Sequence, residues 1–541
     1  MKDGELIKQR NVEGATFVDR DDFLTIYEQA LACYKRQEYD RAWQLVKDFQ
    51  EQTGLKFLLG SLLQAYILRE QKKYVSEIAL LTSLVHDFAD SEDRKRLADA
   101  WSLLGAAHRM LGESEAAVAA FVQSAEIEPD TIKKLTETSN AIFSANAIEN
   151  LPAARMQELY GLYRHYLQEM QGKVFSAPDW QHEKIRVGYL SADLRDHAVG
   201  QFVRPFILNY DKSAFEVFVY QLNRESDFVT ESLRRGAVHW RFLAEAEFAV
   251  IAEAIRQDEI DILVELGGHT AGNALPVFAY RPALVQISGI GYFNSTGIRE
   301  CAGFLSDIYC APEETSPYFT ERLLRLPHTH FCYQPYKTFP PVSPPPCLQN
   351  GYITFGSFNN FAKVNDGMLC LWREILQRVP DSRLLLKHQL LGTEEGRAYT
   401  LTRLQKLQLP VERIELRPYS QDYLQEYGDM DIALDTAPYP GGLTTCEALY
   451  MGVPVVTLSG NRHGARFGES FLRNLGVGEL SAANTGQYVE VAAALAGDFE
   501  LLLGLRQNLR QRLQASPLMD AETYMHDVEN LYRQIMKEQI N

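Results

Sequence analysis

Gly441, Gly442, Thr444, Thr445 and Glu447 stand close together in the segment PYPGGLTTCEALYMGVPVVTL, Pro438 to Leu458. The segment follows a short apolar strand, Ile432 to Leu434, that ends in Asp435-Thr436, and it passes through the two glycines into a helix opened by the threonines. The first N–H groups of a helix lack internal partners and lie at the positive end of its dipole, so they form an anion site. Gly441 and Gly442 let a ligand come near the backbone, and the hydroxyls of Thr444 and Thr445 add donors. Glu447, about one turn past Thr444, and Asp435 at the strand end are candidates to accept hydrogen bonds from sugar hydroxyls. A second strand, Pro454 to Leu458, completes a βαβ unit with a phosphate-bearing ligand expected at its carboxyl edge.

A phosphate-bearing ligand carries negative charge, and a cation must meet it. Lys363, in FNNFAKVND after the strand YITFGSF, is the candidate. His197 follows another strand, in SADLRDHAVG, and its ordinary pKa suits proton handling or a polar contact. His269 lies in GGHT, where Gly267 and Gly268 permit close backbone approach. Arg462 and Arg466 read as solvated, although either can reach a phosphate. Asp429-Met430-Asp431 spells a metal-binding DxD but precedes a strand instead of ending one, so it reads as a helix end and turn. His328, His330 and Cys332 lack a fourth ligand at a useful spacing. No metal and no other cofactor is expected.

The elements that must position these residues fall into an all-α part followed by α/β parts. From Asp21 to about Gln157 apolar residues recur at three and four, and no proline occurs before Pro129. Trp101, Leu104, Gly105, His108, Ala117, Phe121 and Pro129 follow a tetratricopeptide pattern, and CYKRQEYDRA (33–42) and LREQKKYVSE (68–77) look like the middle turns of two more units. Residues 1–157 are therefore expected to be a helical repeat domain, with 158–184 as a linker. IRVGYLSAD, FEVFVYQL, IDILVELGG and VQISGIGY are apolar runs separated by helical stretches, as a parallel sheet requires, and define a first lobe over 185–337. The proline-rich stretch 338–350 reads as a stiff hinge. A second lobe, 351–541, alternates YITFGSF, SRLLLKHQ, RIELRP, DIALDT and PVVTLS with helices and ends in helix from Phe499 to Ile540.

A formal charge of −17 without clustered Lys and Arg excludes nucleic acid as an expected partner. Seven scattered cysteines without CxxC spacing read as reduced thiols, MKDGELIKQR has no apolar leader core, and no run is long enough to span a membrane. A cytoplasmic protein is expected.

SADLRDHAVG, ELGGHTAGNALPVFAYRPALVQ, GYFNSTG, FGSFNNFAKVND, LDTAPYPGGLTTCEALYMGVPVVTLSG and RHGARFGESFLRNLGV occur in one order over roughly residues 185 to 525. Together they resemble the catalytic region of the O-GlcNAc transferase and Spindly group. The resemblance implies two Rossmann-like lobes of the GT-B fold behind tetratricopeptide-like repeats, and inverting, metal-independent transfer of a sugar from a nucleotide diphosphate to a protein. UDP-GlcNAc is the donor it implies first, with serine or threonine of a protein segment held along the repeats as acceptor. GDP-fucose, the donor of Spindly proteins, is the alternative, as is an inactive repeat scaffold that binds nucleotide. By the same resemblance Lys363, Thr444 and Thr445 contact the diphosphate, and His197 sits beside the reacting centre. Asn360 belongs with the nucleotide-sugar contacts, and Tyr419 or Tyr423 stacks on the base. Two positions depart from the animal enzymes: Ala362 replaces the tyrosine before the lysine, and Leu443 replaces the histidine before the threonine pair.

Overall fold

The periodic apolar residues of the N-terminal part do form helices in the structure, a computed structural model that describes residues 7–9, 20–170, 172 and 174–540. Most of MKDGELIKQR lies outside the described residues. One unit comprises Met1–Ile148 and Gln389–Arg403. Its helices are α1 (Arg20–Lys35), α2 (Tyr39–Thr53), α3 (Leu58–Glu70), α4 (Tyr74–Asp87), α5 (Arg94–Met110), α6 (Ser114–Ile127) and α7 (Thr131–Ala145), and a strand β1 (Ile7–Gln9) pairs antiparallel with β2 (Leu55–Phe57).

The same turn recurs between α1 and α2, α3 and α4, and α5 and α6. Each places one residue in the left-handed region, Gln37 at φ 63°, Lys72 at φ 57° and Gly112 at φ 77°. Each also closes with one hydrogen bond: Glu38 N to Cys33 O at 3.0 Å, Lys73 N to Leu68 O at 2.8 Å, and Glu113 N to His108 O at 3.0 Å. This is the way a helix satisfies its last carbonyls before reversing. Gly105 completes the third pair, since a Cβ there would stand 2.9 Å from the ring of Phe121. Residues 389–403, expected in the second lobe, belong to this helical unit. Glu395 accepts from Ser76 N and Ser76 Oγ, both at 2.7 Å, in the first turn of α4, where the helix dipole favours a carboxylate.

The other unit, Glu149–His388 with Leu404–Asn541, holds two parallel sheets. The first contains β3 (Ile185–Ser191), β4 (Phe215–Gln221), β5 (His239–Phe242), β6 (Ile262–Glu265), β7 (Val285–Gly289), β8 (Gly303–Asp307) and β9 (Arg322–Leu326), in the order β5-β4-β3-β6-β7-β8-β9. The second contains β10 (Thr354–Ser357), β11 (Arg383–Lys387), β12 (Ile414–Arg417), β13 (Ile432–Leu434), β14 (Val455–Leu458) and β15 (Ser481–Ala482), in the order β12-β11-β10-β13-β14-β15. The central strands are buried on both faces, which is why they read as unbroken apolar runs. In each sheet the chain direction of build-up reverses beside the first strand, between β3 and β6 and between β10 and β13. Ligands of open parallel sheets bind at that reversal, outside the carboxyl ends.

The fold expected from the sequence is present: helical repeats, then two Rossmann-like lobes. Three details add to or depart from the expected layout. Residues 158–169 of the expected linker lie in a helix, Ala153–Glu169, which Pro152 starts and which buries Tyr160 and Tyr163 against His269. The strands GFLSD and RLLRL extend the first sheet beyond the runs singled out. The C-terminal helix, Ala521–Ile540, crosses to the first lobe, where Tyr524 packs on Phe206 and Tyr532 on Phe215.

Candidate active site

The loops after β10 and β13 meet at the reversal point of the second sheet. Asp435 organises them from below. It is 1% exposed, and its Oδ1 accepts from Gly441 N at 2.7 Å, Thr436 N at 2.9 Å and Asn359 Nδ2 at 3.1 Å, while Oδ2 accepts from Thr457 Oγ1 at 3.0 Å. Burial raises its pKa, and the surrounding donors oppose that rise. Asn359 carries the order onward, because its Oδ1 accepts from Thr444 Oγ1 at 2.8 Å. Gly442 caps the helix Leu443–Tyr450 without a side-chain hydrogen bond, which leaves its leading N–H groups facing out. A Cβ at Gly441 would lie 2.4 Å from Thr445 Oγ1 and 2.5 Å from Thr444 Oγ1, whereas at Gly442 it would meet nothing within 4 Å. Gly441 is thus required by the threonines, and Gly442 borders open space.

Lys363 leans over this turn. It ends a short 3-10 turn, Phe361–Lys363, and its Nζ donates to Pro440 O at 2.9 Å and lies 3.7 Å from the centre of the Tyr439 ring. Burial pushes its pKa down to about 8, Asp435 only partly offsetting the loss of water. An anion arriving beside it would stabilise the charged form and raise the pKa again. The ammonium group, the threonine hydroxyls and the helix start therefore converge on one place outside β10 and β13.

His197 occupies the matching position in the first lobe, after β3. Its Nδ1 accepts from Val199 N at 3.3 Å, which caps the five-residue helix Ala198–Phe202, and the side chain remains 42% exposed. With Nδ1 accepting, the neutral ring carries its proton on Nε2 and presents a donor. Partial burial lowers its pKa and Asp193, 3.7 Å away, opposes that. Asp196 links the lobes: it accepts from Tyr336 OH and lies 3.6 Å from Lys337 Nζ, which in turn sits 5.4 Å from the centre of the Tyr423 ring.

Several of the expected contact residues are engaged by the protein itself. Glu447 is 2% exposed and faces inward: it accepts from Tyr423 OH at 2.6 Å and Tyr427 OH at 3.5 Å, and burial raises its pKa to about 7. Its oxygens and those of Asp435 are engaged by the protein, so both position neighbours and neither is turned to a sugar. His269 is 1% exposed, joined through Nε2 to Thr296 O at 2.8 Å and packed among Tyr160, Tyr163 and Tyr292, with its pKa lowered to about 4 by burial. It is a core histidine. Asn360 is exposed and caps Ala362 N locally, and the asparagine that joins the two loops is its neighbour Asn359. Tyr423 is committed to Glu447, while Tyr419 is 62% exposed and open to a flat ring. Asp431, as expected for a turn, is buried and accepts from Cys347 N and Thr354 N. Arg466 is not solvated: it donates to Tyr309 O and Gly460 O.

The low pKa of Lys363 has a measurable consequence. An anion of constant charge should bind beside Lys363 with an affinity that is flat below pH about 8 and falls above it, by about one power of ten per pH unit, as Lys363 loses its proton. Calorimetric titration with the expected donor, UDP-GlcNAc, from about pH 7 to 9, below the range in which the uracil ring itself loses a proton, reads this, and Lys363→Met should remove the bend. An affinity indifferent to pH in the unaltered protein would contradict it.

A model of the family described as Glycosyl transferase family 41 matches residues 166–344 and 346–528. The chain is 40% identical over 361 residues to an Arabidopsis thaliana protein described as a probable UDP-N-acetylglucosamine-peptide N-acetylglucosaminyltransferase SPINDLY, an alignment that covers 65% of this chain and 39% of that one. A Petunia hybrida protein of the same description is 39% identical over 362 residues, with the same coverage. The chain thus spans about two fifths of the length of these relatives. The structure of a Thermobaculum terrenum O-GlcNAc transferase mutant superposes with a TM-score of 0.83 at 28% identity, covering 97% of this chain and 99% of that one.

Proposed function

The chain belongs to glycosyl transferase family 41, and we propose that it transfers N-acetylglucosamine from UDP-N-acetylglucosamine to a serine or threonine hydroxyl of a protein, with inversion and without a metal at the reacting centre. The observation that carries this reading is the convergence of Lys363 with the Gly441–Thr445 turn, two sources of positive potential on one spot. The descriptions of its relatives support the choice of sugar and acceptor.

In this reading the diphosphate lies against the helix start, with Thr444 and Thr445 donating to it. The acceptor oxygen attacks the anomeric carbon from the face opposite the diphosphate. A carbon–oxygen bond forms as the sugar–phosphate bond breaks, the electron pair leaves with the nucleotide, and the hydroxyl proton passes to solvent. Lys363 neutralises the charge that grows on the phosphate oxygen, which supplies what a bound metal supplies in other transferases. His197, a donor through Nε2, holds an oxygen of the donor substrate and is not arranged to take the acceptor's proton. Tyr419 offers a face to the nucleobase. The helical repeats hold the polypeptide acceptor. No helix among the described residues is long and apolar enough to cross a membrane.

A second reading, transfer of fucose from GDP-fucose, is favoured by Leu443, an apolar side chain at the helix start that gives a nucleoside no hydrogen bond. Thermal unfolding with UDP, GDP, UDP-GlcNAc and GDP-fucose separates the two. At about a hundredfold excess over Kd the correct nucleotide should add about 2.7 kcal/mol, a shift of several degrees. Protection by the guanine nucleotides alone would replace the first reading with the second, and protection by none would refute both.

A further inference from the structure

Three side chains with metal-ligand chemistry, far apart in the sequence, meet in the interior between the two sheets. Cys310 follows β8, His330 follows β9, and His463 begins the short turn His463–Arg466 after β14. The first two belong to the first lobe and the third to the second. Cys310 and His463 are 0% exposed and His330 is 1% exposed. The Cys310 Sγ and one ring nitrogen from each histidine lie within 4.8 Å of one another.

The histidines are oriented as ligands. His330 Nδ1 is 2.5 Å from Asp307 Oδ2, and His463 Nδ1 donates to Phe293 O at 3.1 Å. In both rings the Nε2 atom is buried and has no hydrogen-bond partner. Leaving a buried polar atom so is costly, and two such lone pairs beside one thiol call for a common electrophile. A ring nitrogen anchored on a carboxylate or carbonyl while the other faces the site is the usual outer support of a metal-bound imidazole. Asp307 is itself supported, by Tyr309 N and Cys310 N on Oδ1 and by His330 N and Ser470 Oγ on Oδ2. Phe304, Phe319, Phe331 and Phe467 surround the two imidazoles.

We propose that Cys310, His330 and His463 bind a divalent cation of the zinc class that fastens the two lobes together and takes no part in sugar transfer. One thiolate and two imidazoles, with a water completing the tetrahedron, suit zinc and exclude magnesium and calcium, which take oxygen ligands. Binding converts the Cys310 thiol to a thiolate and releases one proton. The charge of the dication is then balanced by that thiolate and the Asp307 carboxylate. The pair His328 and Cys332 has no share in the site: His328 is exposed, and Cys332 accepts from Gln334 Nε2. The ring of Phe293, whose carbonyl holds His463, lies 4.1 Å from that of Tyr439 under Lys363, so the cation braces the transfer site from behind.

The test uses the full chain without a polyhistidine tag, purified from zinc-supplemented cells in the absence of chelators. Elemental analysis should find about one zinc per chain, and Cys310→Ser and His463→Ala should each lower this at least tenfold. Should either variant fail to fold, the unaltered protein still decides: after chelation and addition of cobalt(II) it should develop the intense thiolate-to-cobalt absorption of a tetrahedral site and regain its original unfolding temperature. Less than a tenth of an equivalent of zinc together with no cobalt–thiolate band would overturn the proposal, as would equal metal in folded variants and parent.

Discussion

Lys363→Met is expected to lower kcat/KM for sugar transfer by about three orders of magnitude and to leave the fold intact. The two halves of this expectation have separate causes. The Lys363 ammonium is held where water is scarce, has one hydrogen bond to Pro440 O and is pushed toward neutrality by burial, so the folded protein gains little from its charge. Methionine fills a similar volume beside Tyr439, and the unfolding temperature should not fall. The charge matters when the sugar–phosphate bond breaks, because removing one preorganised donor from a developing anion costs about 3–4 kcal/mol. The loss should therefore appear in kcat as well as in a weaker hold on the donor. Turnover near that of the unaltered protein, with its proper donor and acceptor, would refute the role given to Lys363.

Gly441→Val should act on binding. Its Cβ would fall within 2.4 to 2.9 Å of Thr445 Oγ1, Thr444 Oγ1 and Asn359 Oδ1, so both hydroxyls must turn away and the Thr444–Asn359 hydrogen bond must break. Two hydrogen bonds to a charged ligand are lost, at about 1.5 kcal/mol or more each, which weakens UDP-GlcNAc binding about a hundredfold or more. Calorimetry of the variant checks this. Gly442→Ala is the informative partner, since its Cβ meets no protein atom within 4 Å. A drop in donor affinity at unchanged stability would mean that the ligand itself occupies the space beside Gly442. Undiminished binding by Gly441→Val would show that the threonines do not hold the donor.

The sequence made the site legible where its parts are contiguous. The strand, glycine turn and threonine-led helix from Ile432 to Leu458 form one uninterrupted motif, and Lys363 stands directly after a strand that any apolar-run reading finds. What it concealed depends on which way a side chain turns. Asp435 and Glu447 have the right chemistry for sugar hydroxyls, yet Gly441 N, Asn359 and two tyrosine hydroxyls claim them inside the protein. Asn359 and Asn360 are equivalent in sequence, and only the packing of the strand end decides that Asn359 is the buried one. Contacts across large separations were equally hidden. His330 invited comparison with His328 and Cys332 by spacing, whereas its partners are Cys310 and His463, delivered by the order of strands β8, β9 and β14. The repeats were the reverse case: a weakly matching sequence pattern is made regular by backbone turns at Gln37, Lys72 and Gly112, whose side chains share nothing.

The central claim is that one ammonium group and one helix start hold the donor's diphosphate. A crystal structure of the protein with UDP-GlcNAc tests it most directly. The account predicts phosphate oxygens within about 3 Å of Lys363 Nζ and of the leading N–H groups at Thr444 and Thr445, with the anomeric carbon turned toward His197. A nucleotide bound elsewhere, with Lys363 still donating to Pro440 O, would contradict it.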